Sequence, residues 1–234
     1  MSPELIKNIS ARKPIIAIDG PVGAGKSTTA REVAKRLGFL FVDTGAMYRA
    51  VTLDVLNHGA NPENEVEVKQ IADHSRVKLL AAGDGQRTFL NDSDVTNRIR
   101  DRDVTLAVSA VSAQKAVRDR MTDFQRRLGE NGGVVMEGRD IGTVVFPEAE
   151  FKIYLDASIE ARAKRRFAEL KNRRSPVALE DLIQEIRERD RANTERALAP
   201  LRRSPDAVYI DTTDMTFEEQ ISMIIALVRG EKNE

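Results

Sequence analysis

The chain has 234 residues, of which 32% are charged, with 37 basic and 37 acidic residues in balance and no cysteine. That length suits one domain with insertions or two small ones, and the neutral balance gives no case for a nucleic-acid coat or a membrane surface. Without cysteine, disulfides, thiolate catalysis and Cys-ligated zinc are excluded. The first stretch, MSPELIKNIS, has no apolar core of signal-peptide length, and the longest apolar runs, around IIAI and MIIALV, are too short to span a bilayer. The expectation is a cytosolic protein with no membrane partner. The two histidines, His58 and His74, lie 16 residues apart without a ligand-like pattern and read as solvent-side residues.

The first strand-like run, Pro14 to Asp19 (PIIAID), is apolar and rich in Ile, as a buried parallel strand is. Directly after it, Gly20, Pro21, Val22, Gly23, Ala24, Gly25, Lys26 and Ser27 satisfy every fixed position of G-x-x-x-x-G-K-[ST], with Thr28 next. The glycines let successive backbone N–H groups turn inward on phosphate oxygens, and the following helix adds its positive end. Lys26 suits the β/γ oxygens of a triphosphate, and the Ser27 hydroxyl suits Mg2+. Ala30, Val33, Ala34 and Leu37 then keep a helical stripe, and Gly38 is placed to end it. Strand, loop and helix come in the order the motif requires.

Four more strand-like runs follow, Phe39 to Asp43, Gly133 to Glu137, Phe151 to Asp156 and Ala207 to Asp211. Helical patterns separate them, so a parallel sheet covered on both faces is expected. Between Asp43 and Gly133 the gap is too long for one crossover. In it, Arg76 to Leu80 and Arg87 to Asn91 flank the polar turn AAGDGQ as a small antiparallel hairpin, and Val117, Met121, Phe124 and Leu128 mark a helix. This is an inserted subdomain. A second insertion, Ser158 to Pro205, reads as helical and arginine-rich, broken at Pro176 and Pro200.

Ligands of open α/β sheets sit outside the carboxyl ends of the strands. After the second strand comes DTGAMYRA, in which Thr44 and Arg49 can reach a common anion. After the third comes EGRDIGT, with Arg139 and Asp140 between glycines. Arginine's planar fork binds phosphate in bidentate fashion, so these ends suggest a second phosphorylated substrate. From Arg162 to Arg174 there are seven basic residues and one acid, Glu169, and several of the seven read as a solvated face. Further on, Leu179, Leu182, Ile183 and Ile186 form an apolar stripe with Arg189, Asn193 and Arg196 along its shoulder; these three are either paired in a network or aimed at a ligand.

The phosphate loop, DTGAMYR, GRDIGTVVFP, FKIYLDAS and ERDRANTERALAPL together resemble bacterial cytidylate kinase, a P-loop nucleoside monophosphate kinase. The resemblance covers nearly the whole chain. It implies an α/β P-loop NTPase fold of three layers, with a five-stranded parallel sheet core over residues 14–43, 130–159 and 205–230. It further implies a nucleotide-binding insertion over 44–129 and a helical lid over 160–204. The implied reaction is transfer of the γ-phosphoryl group of ATP, with Mg2+, to CMP or dCMP by a monomer. On this chain the family pattern places the CMP phosphate against Thr44, Arg49 and Arg139. Cytosine falls to Ser109 and Arg118, with Asp140 near its amine, and Arg189, Asn193 and Arg196 approach the sugar and phosphates. Lys26, Arg49 and Arg139 align the transfer, and lid arginines around Arg165 and Arg166 close over it. Thr44 stands where many relatives have Ser, and Asn193 where relatives commonly have Asp, which weakens the charge available to the ribose 2′-OH.

Three other readings separate from this one by what they require. A regulatory GTPase needs N-K-x-D and D-x-x-G, and neither occurs. Another small-molecule P-loop kinase differs only in acceptor profile. A nucleic-acid-binding ATPase would use the Arg162 to Arg174 cluster on a phosphodiester backbone with steep salt dependence. For Arg118 itself, a solvated place on the flank of a core helix is the competing reading.

Overall fold

A computed structural model of the chain describes residues 12–83, 85–172 and 178–230. The first ten residues, Asp84 of the hairpin turn, Arg173, Arg174 and Pro176 lie outside the described residues. Strand β1 (Ile15–Asp19) is followed by α1 (Lys26–Leu37) and β2 (Leu40–Asp43). The first insertion then carries α2 (Thr44–Asn57), α3 (Glu65–His74), β3 (Val77–Ala82), β4 (Gly85–Leu90), β5 (Ser93–Asp94), α4 (Arg102–Ala113) and α5 (Lys115–Gly129). The chain returns through β6 (Val134–Glu137) and β7 (Phe151–Asp156) to α6 (Ile159–Asn172), α7 (Leu179–Glu195), β8 (Val208–Asp211) and α8 (Phe217–Arg229).

The five strand-like runs form one parallel sheet in the order β2-β6-β1-β7-β8. In β1 every residue is buried, because the strand is covered on both faces. Ile15 and Ala17 pack with Val42, Val134 and Met136 under α2, α4 and α5. Ile16 and Ile18 turn the other way, onto Val135, Ile153 and Leu155 and the buried residues of α1 and α8. An apolar run without alternation thus serves two cores at once. The α1 stripe is buried at Ala30, Val33 and Ala34, and Gly38 caps the helix in the left-handed region at φ 64.

The hairpin exists with longer strands and a tighter turn than the sequence suggests, since Ala82 pairs with Gly85. It is also joined by β5, so the small sheet has three strands. A two-residue strand carries too little pattern to be read in sequence. The segment after β6 holds a short π-helical turn, Ile141–Val145, a geometry with no compositional signature. Among the described residues no helix is long and apolar enough to cross a membrane.

All five parallel strands end on an acid: Asp19, Asp43, Glu137, Asp156 and Asp211. Where a strand leaves the sheet its next backbone N–H groups lose their ladder partners, and a short carboxylate can accept them. Asp43 takes Ala46 N at 3.0 Å as the N-cap of α2, Asp156 takes Ala157 N at 2.8 Å and Asp211 takes Thr213 N at 2.9 Å. The carboxyl edge of the sheet is therefore acidic, with a basic cleft built over it.

Candidate active site

The phosphate loop leaves β1 at Gly20, whose φ of 147 belongs to glycine. A Cβ there would sit 1.9 Å from the Leu155 carbonyl oxygen on the neighbouring strand. Gly23 and Gly25 also have positive φ, 79 and 88, which curls the loop over the N-terminus of α1. Lys26, only 5% exposed, donates from Nζ to Pro21 O across the loop at 2.6 Å. Burial, helped by the charge of Arg139, pulls its pKa down to about 7.

Ser27 Oγ donates to Glu137 Oε1 at 2.6 Å. Glu137 is the strand-end acid that hydrogen-bonds a phosphate-loop side chain, and burial followed by the charge of Asp43 raises its pKa to about 7. The sequence reading did not single out Glu137. Its available signal was position, an acid at the carboxyl end of the strand beside β1. Ser27 and Glu137 offer hard oxygen donors side by side, and no cluster of three or more metal-ligating side chains exists among the described residues. That set fits Mg2+, which holds few protein ligands and completes its octahedron with water and substrate phosphates.

A cleft of about 1200 Å³ opens over the loop. It is lined by the loop itself, Glu137, and the guanidinium-bearing residues Arg49, Arg139, Arg165, Arg166 and Arg189. Arg49 is fixed from α2 by donating to Ile99 O at 3.2 Å and Thr105 Oγ1 at 2.9 Å. Burial lowers its pKa to about 10. Among the described residues Arg139 bonds only to its neighbour's carbonyl, Gly138 O, at 3.1 Å. Arg189 makes no side-chain hydrogen bond or ion pair among the described residues. Burial first, then the charges of Arg49, Arg139 and Arg166, depress its pKa well below the usual range. Cations held in one cleft against their own repulsion form a site for a multiply charged anion.

From α6, Arg165 donates to Thr212 Oγ1 at 3.0 Å, and Arg166 pairs with Glu169 at 2.9 Å. Arg162, at the start of the basic run, is not solvated: it is 4% exposed and donates to Ala157 O at 2.9 Å, Val22 O at 3.1 Å and Asp190 Oδ2 at 2.6 Å. One guanidinium thus joins the phosphate loop to both helices of the second insertion, a role hidden in the sequence among six other basic residues.

The remaining expected residues do not line the cleft. Thr44, 3% exposed, donates its hydroxyl to Glu137 O at 2.8 Å. Asp140 is buried between Arg118, which pairs with Oδ2, and Arg196, whose Nη2 lies 3.5 Å from Oδ1. Arg118 also donates to Ser112 O at 3.3 Å and lies 5.4 Å from the centroid of the Tyr48 ring. It is 4% exposed, which removes the reading of a solvated flank. Ser109 is half-buried on α4, and no described hydrogen bond joins it to Arg118 or Asp140. Of the three shoulder residues, Arg196 at the end of α7 is paired in a network, Arg189 lines the cleft, and Asn193, 8% exposed, has an Nδ2 with no hydrogen-bond partner among the described residues.

The model of the family described as cytidylate kinase matches residues 16–230. A cytidylate kinase from Geobacillus sp. (strain WCH70) is 49% identical over 213 residues, covering 91% of this chain and 95% of its own. A bifunctional pantoate ligase/cytidylate kinase from Prochlorococcus marinus (strain NATL1A) is 46% identical over 94% of this chain, which spans 43% of that protein's length. Among solved structures, an uncharacterized protein from Eubacterium ventriosum ATCC 27560 matches with a TM-score of 0.50 at 13% identity, covering 93% of this chain and 99% of its own, a likeness of fold alone.

Proposed function

The chain belongs to the cytidylate kinase family, and from that premise we propose that it transfers the γ-phosphoryl group of ATP to CMP or dCMP, giving ADP and CDP or dCDP. One observation carries the reading beyond family membership: Arg49, Arg139 and Arg189 converge with the phosphate loop on a single cleft. A donor triphosphate and an acceptor phosphate can meet there in line.

Phosphoryl transfer asks for alignment and charge neutralisation more than for covalent help. The loop from Gly20 to Thr28 holds the donor phosphates through backbone N–H groups, and Lys26 leaves Pro21 O to follow the moving phosphoryl group. Ser27 and Glu137 would hold Mg2+, which would supply charge neutralisation to the donor phosphates. Arg49, Arg139 and Arg189 orient the acceptor phosphate with Thr44. That phosphate, with a second pKa near ~6, is already largely ionised at neutral pH, so no strong general base is needed. Arg165 and Arg166 come from the helical segment 160–204, which acts as the lid and keeps water from the transferring group.

The insertion over 44–129 reads the acceptor, with Ser109, Arg118 and Asp140 on cytosine, and Asn193 and Arg196 on the sugar side. Residues 14–43, 130–159 and 205–230 form the core that both insertions move against. A monomer acting in the cytoplasm is part of this reading. A coupled assay with ATP and Mg2+ across CMP, dCMP, UMP, AMP and GMP tests the function. CMP and dCMP should lead; preference for a purine acceptor, or for none of the five, overturns it.

A further inference from the structure

Asp19 breaks the habit of the other strand-end aspartates. Asp43, Asp156 and Asp211 each cap the turn that follows them within three residues. Asp19 instead accepts Ile141 N at 2.9 Å and Gly142 N at 2.7 Å, one on each oxygen, across 122 and 123 residues of sequence. It is 5% exposed. Two donors on the two oxygens of a planar group fix orientation as well as distance, and hydrogen bonds to a carboxylate are the stronger kind.

What the carboxylate joins gives this hold its significance. Gly20, the next residue in the chain, opens the phosphate loop, while Ile141 and Gly142 follow directly on Arg139 and Asp140. On the other side of that pair, Gly138 N donates to Ile18 O at 3.0 Å. Arg139 and Asp140 are therefore the crest of a loop pinned before and after to the last two residues of β1. From this crest Arg139 lines the cleft and Asp140 pairs with Arg118 and Arg196. Gly142 fits under the clamp because a Cβ there would already meet Asp19 Oδ2 at 3.4 Å and Lys152 Cγ at 3.3 Å.

We propose that Asp19 is a positioning residue for the acceptor side of phosphoryl transfer, holding Arg139 and Asp140 at a fixed offset from the loop that grips the donor. The inference rests on the kinase reading above. It requires two acceptor oxygens at position 19. Asparagine keeps one and turns an NH2 group toward the second backbone N–H. Lys26 from α1, Asp140 from the clamped loop and Tyr154 from β7 are the charged or titratable groups whose fields reach Asp19 or feel its charge.

The test uses the full chain with Asp19→Asn and Asp19→Glu, each checked for folding by circular dichroism and thermal unfolding. Affinity for a fluorescent ATP analogue is titrated without acceptor, and kcat and KM are measured for CMP and UMP at saturating ATP. For Asp19→Asn the ATP analogue should bind within about twofold of wild type, while kcat/KM for CMP falls by roughly 10²-fold, the scale of an ångström's misplacement of a positioning group. The CMP preference over UMP should narrow, because Asp140 moves with the clamp, and Asp19→Glu, which keeps both oxygens, should recover part of the CMP rate. Equal losses on donor and acceptor, or a folded Asp19→Asn enzyme with wild-type CMP kinetics, overturn the proposal. Should Asp19→Asn not fold, Gly142→Ala presses on the same clamp: a defect confined to the acceptor supports the proposal, and equal or absent effects on both substrates overturn it. A wild-type protein that does not phosphorylate CMP at all would remove the kinase reading instead, a failure visible before any variant is made.

Discussion

Arg118 and Asp140 form an ion pair whose side chains are 5% and 6% exposed, on α5 and on the loop after β6. Burial pushes the Asp140 pKa up, and Arg118, Arg196 and Arg139 pull against it. Such a pair holds together two segments far apart in sequence. Arg118 left alone would be a buried, uncompensated charge.

The pair gives the first expectation. Cytosine presents a ring nitrogen acceptor and an amine donor where uracil presents an N–H and an oxygen, so Arg118 and Asp140 suit the first and clash with the second. Arg118→Met should lower kcat/KM for CMP far more than for UMP. It should also cost about 3 kcal/mol or more of stability, since Asp140 keeps only the longer contact to Arg196. Steady-state kinetics on both nucleotides, together with urea unfolding, reads both effects. Unchanged kinetics on both would withdraw the base-reading role.

Lys26→Ala removes the ammonium that donates to Pro21 O. Turnover should fall by several orders of magnitude, as for a lost transition-state charge contact, at nearly unchanged stability, because the lysine spends desolvation on a single carbonyl. Single-turnover rates and a thermal melt decide this. Near wild-type turnover would end the phosphate-loop role.

Asn193 on α7 has a buried Nδ2 without a hydrogen-bond partner among the described residues. Asn193→Asp exchanges a neutral acceptor for a charged one beside the arginines of the same helix, and should shift selectivity toward CMP over dCMP by about 1 to 2 kcal/mol. The ratio of the two kcat/KM values measures it. A ratio that does not move would mean that the residue does not touch the ribose.

The pKa of Asp19 is raised from 3.8 to about 6, chiefly by burial, with its two backbone hydrogen bonds opposing. Between those values the folded protein keeps a proton that the unfolded chain has released. The associated stability is full below pH 3.8 and is lost as pH rises through about 6. The change amounts to about 3 kcal/mol at most. Denaturant unfolding from pH 4 to 7.5 should show this decline in the wild type and a flatter course in Asp19→Asn. Parallel curves would mean that Asp19 does not titrate in this range.

The phosphate loop was legible in the sequence because its chemistry is local: eight consecutive residues carry the glycines, the lysine and the hydroxyl in fixed order. The five sheet strands were legible because parallel strands buried on both faces read as short continuous apolar runs. The cleft arginines were found as residues, and only the family resemblance brought them together, since Arg49 and Arg189 are 140 positions apart. Arg162 stayed hidden because charge runs usually mark solvated helix faces, and only the packing of α6 against α7 buries this one.

By itself, then, the sequence determined that a phosphate-loop motif follows the first strand, and which five runs are the strands of the parallel sheet. Those properties follow from backbone conformation and hydrophobic periodicity within a few consecutive residues. Only the tertiary structure decided what the acids at the strand ends do. All carboxylates, they diverge because Asp43, Asp156 and Asp211 find donors in their own turns, Glu137 meets the Ser27 hydroxyl, and Asp19 meets two amides from more than a hundred residues away. A carboxylate's function is set by the donors that surround it, and long-range chain crossings supply those donors.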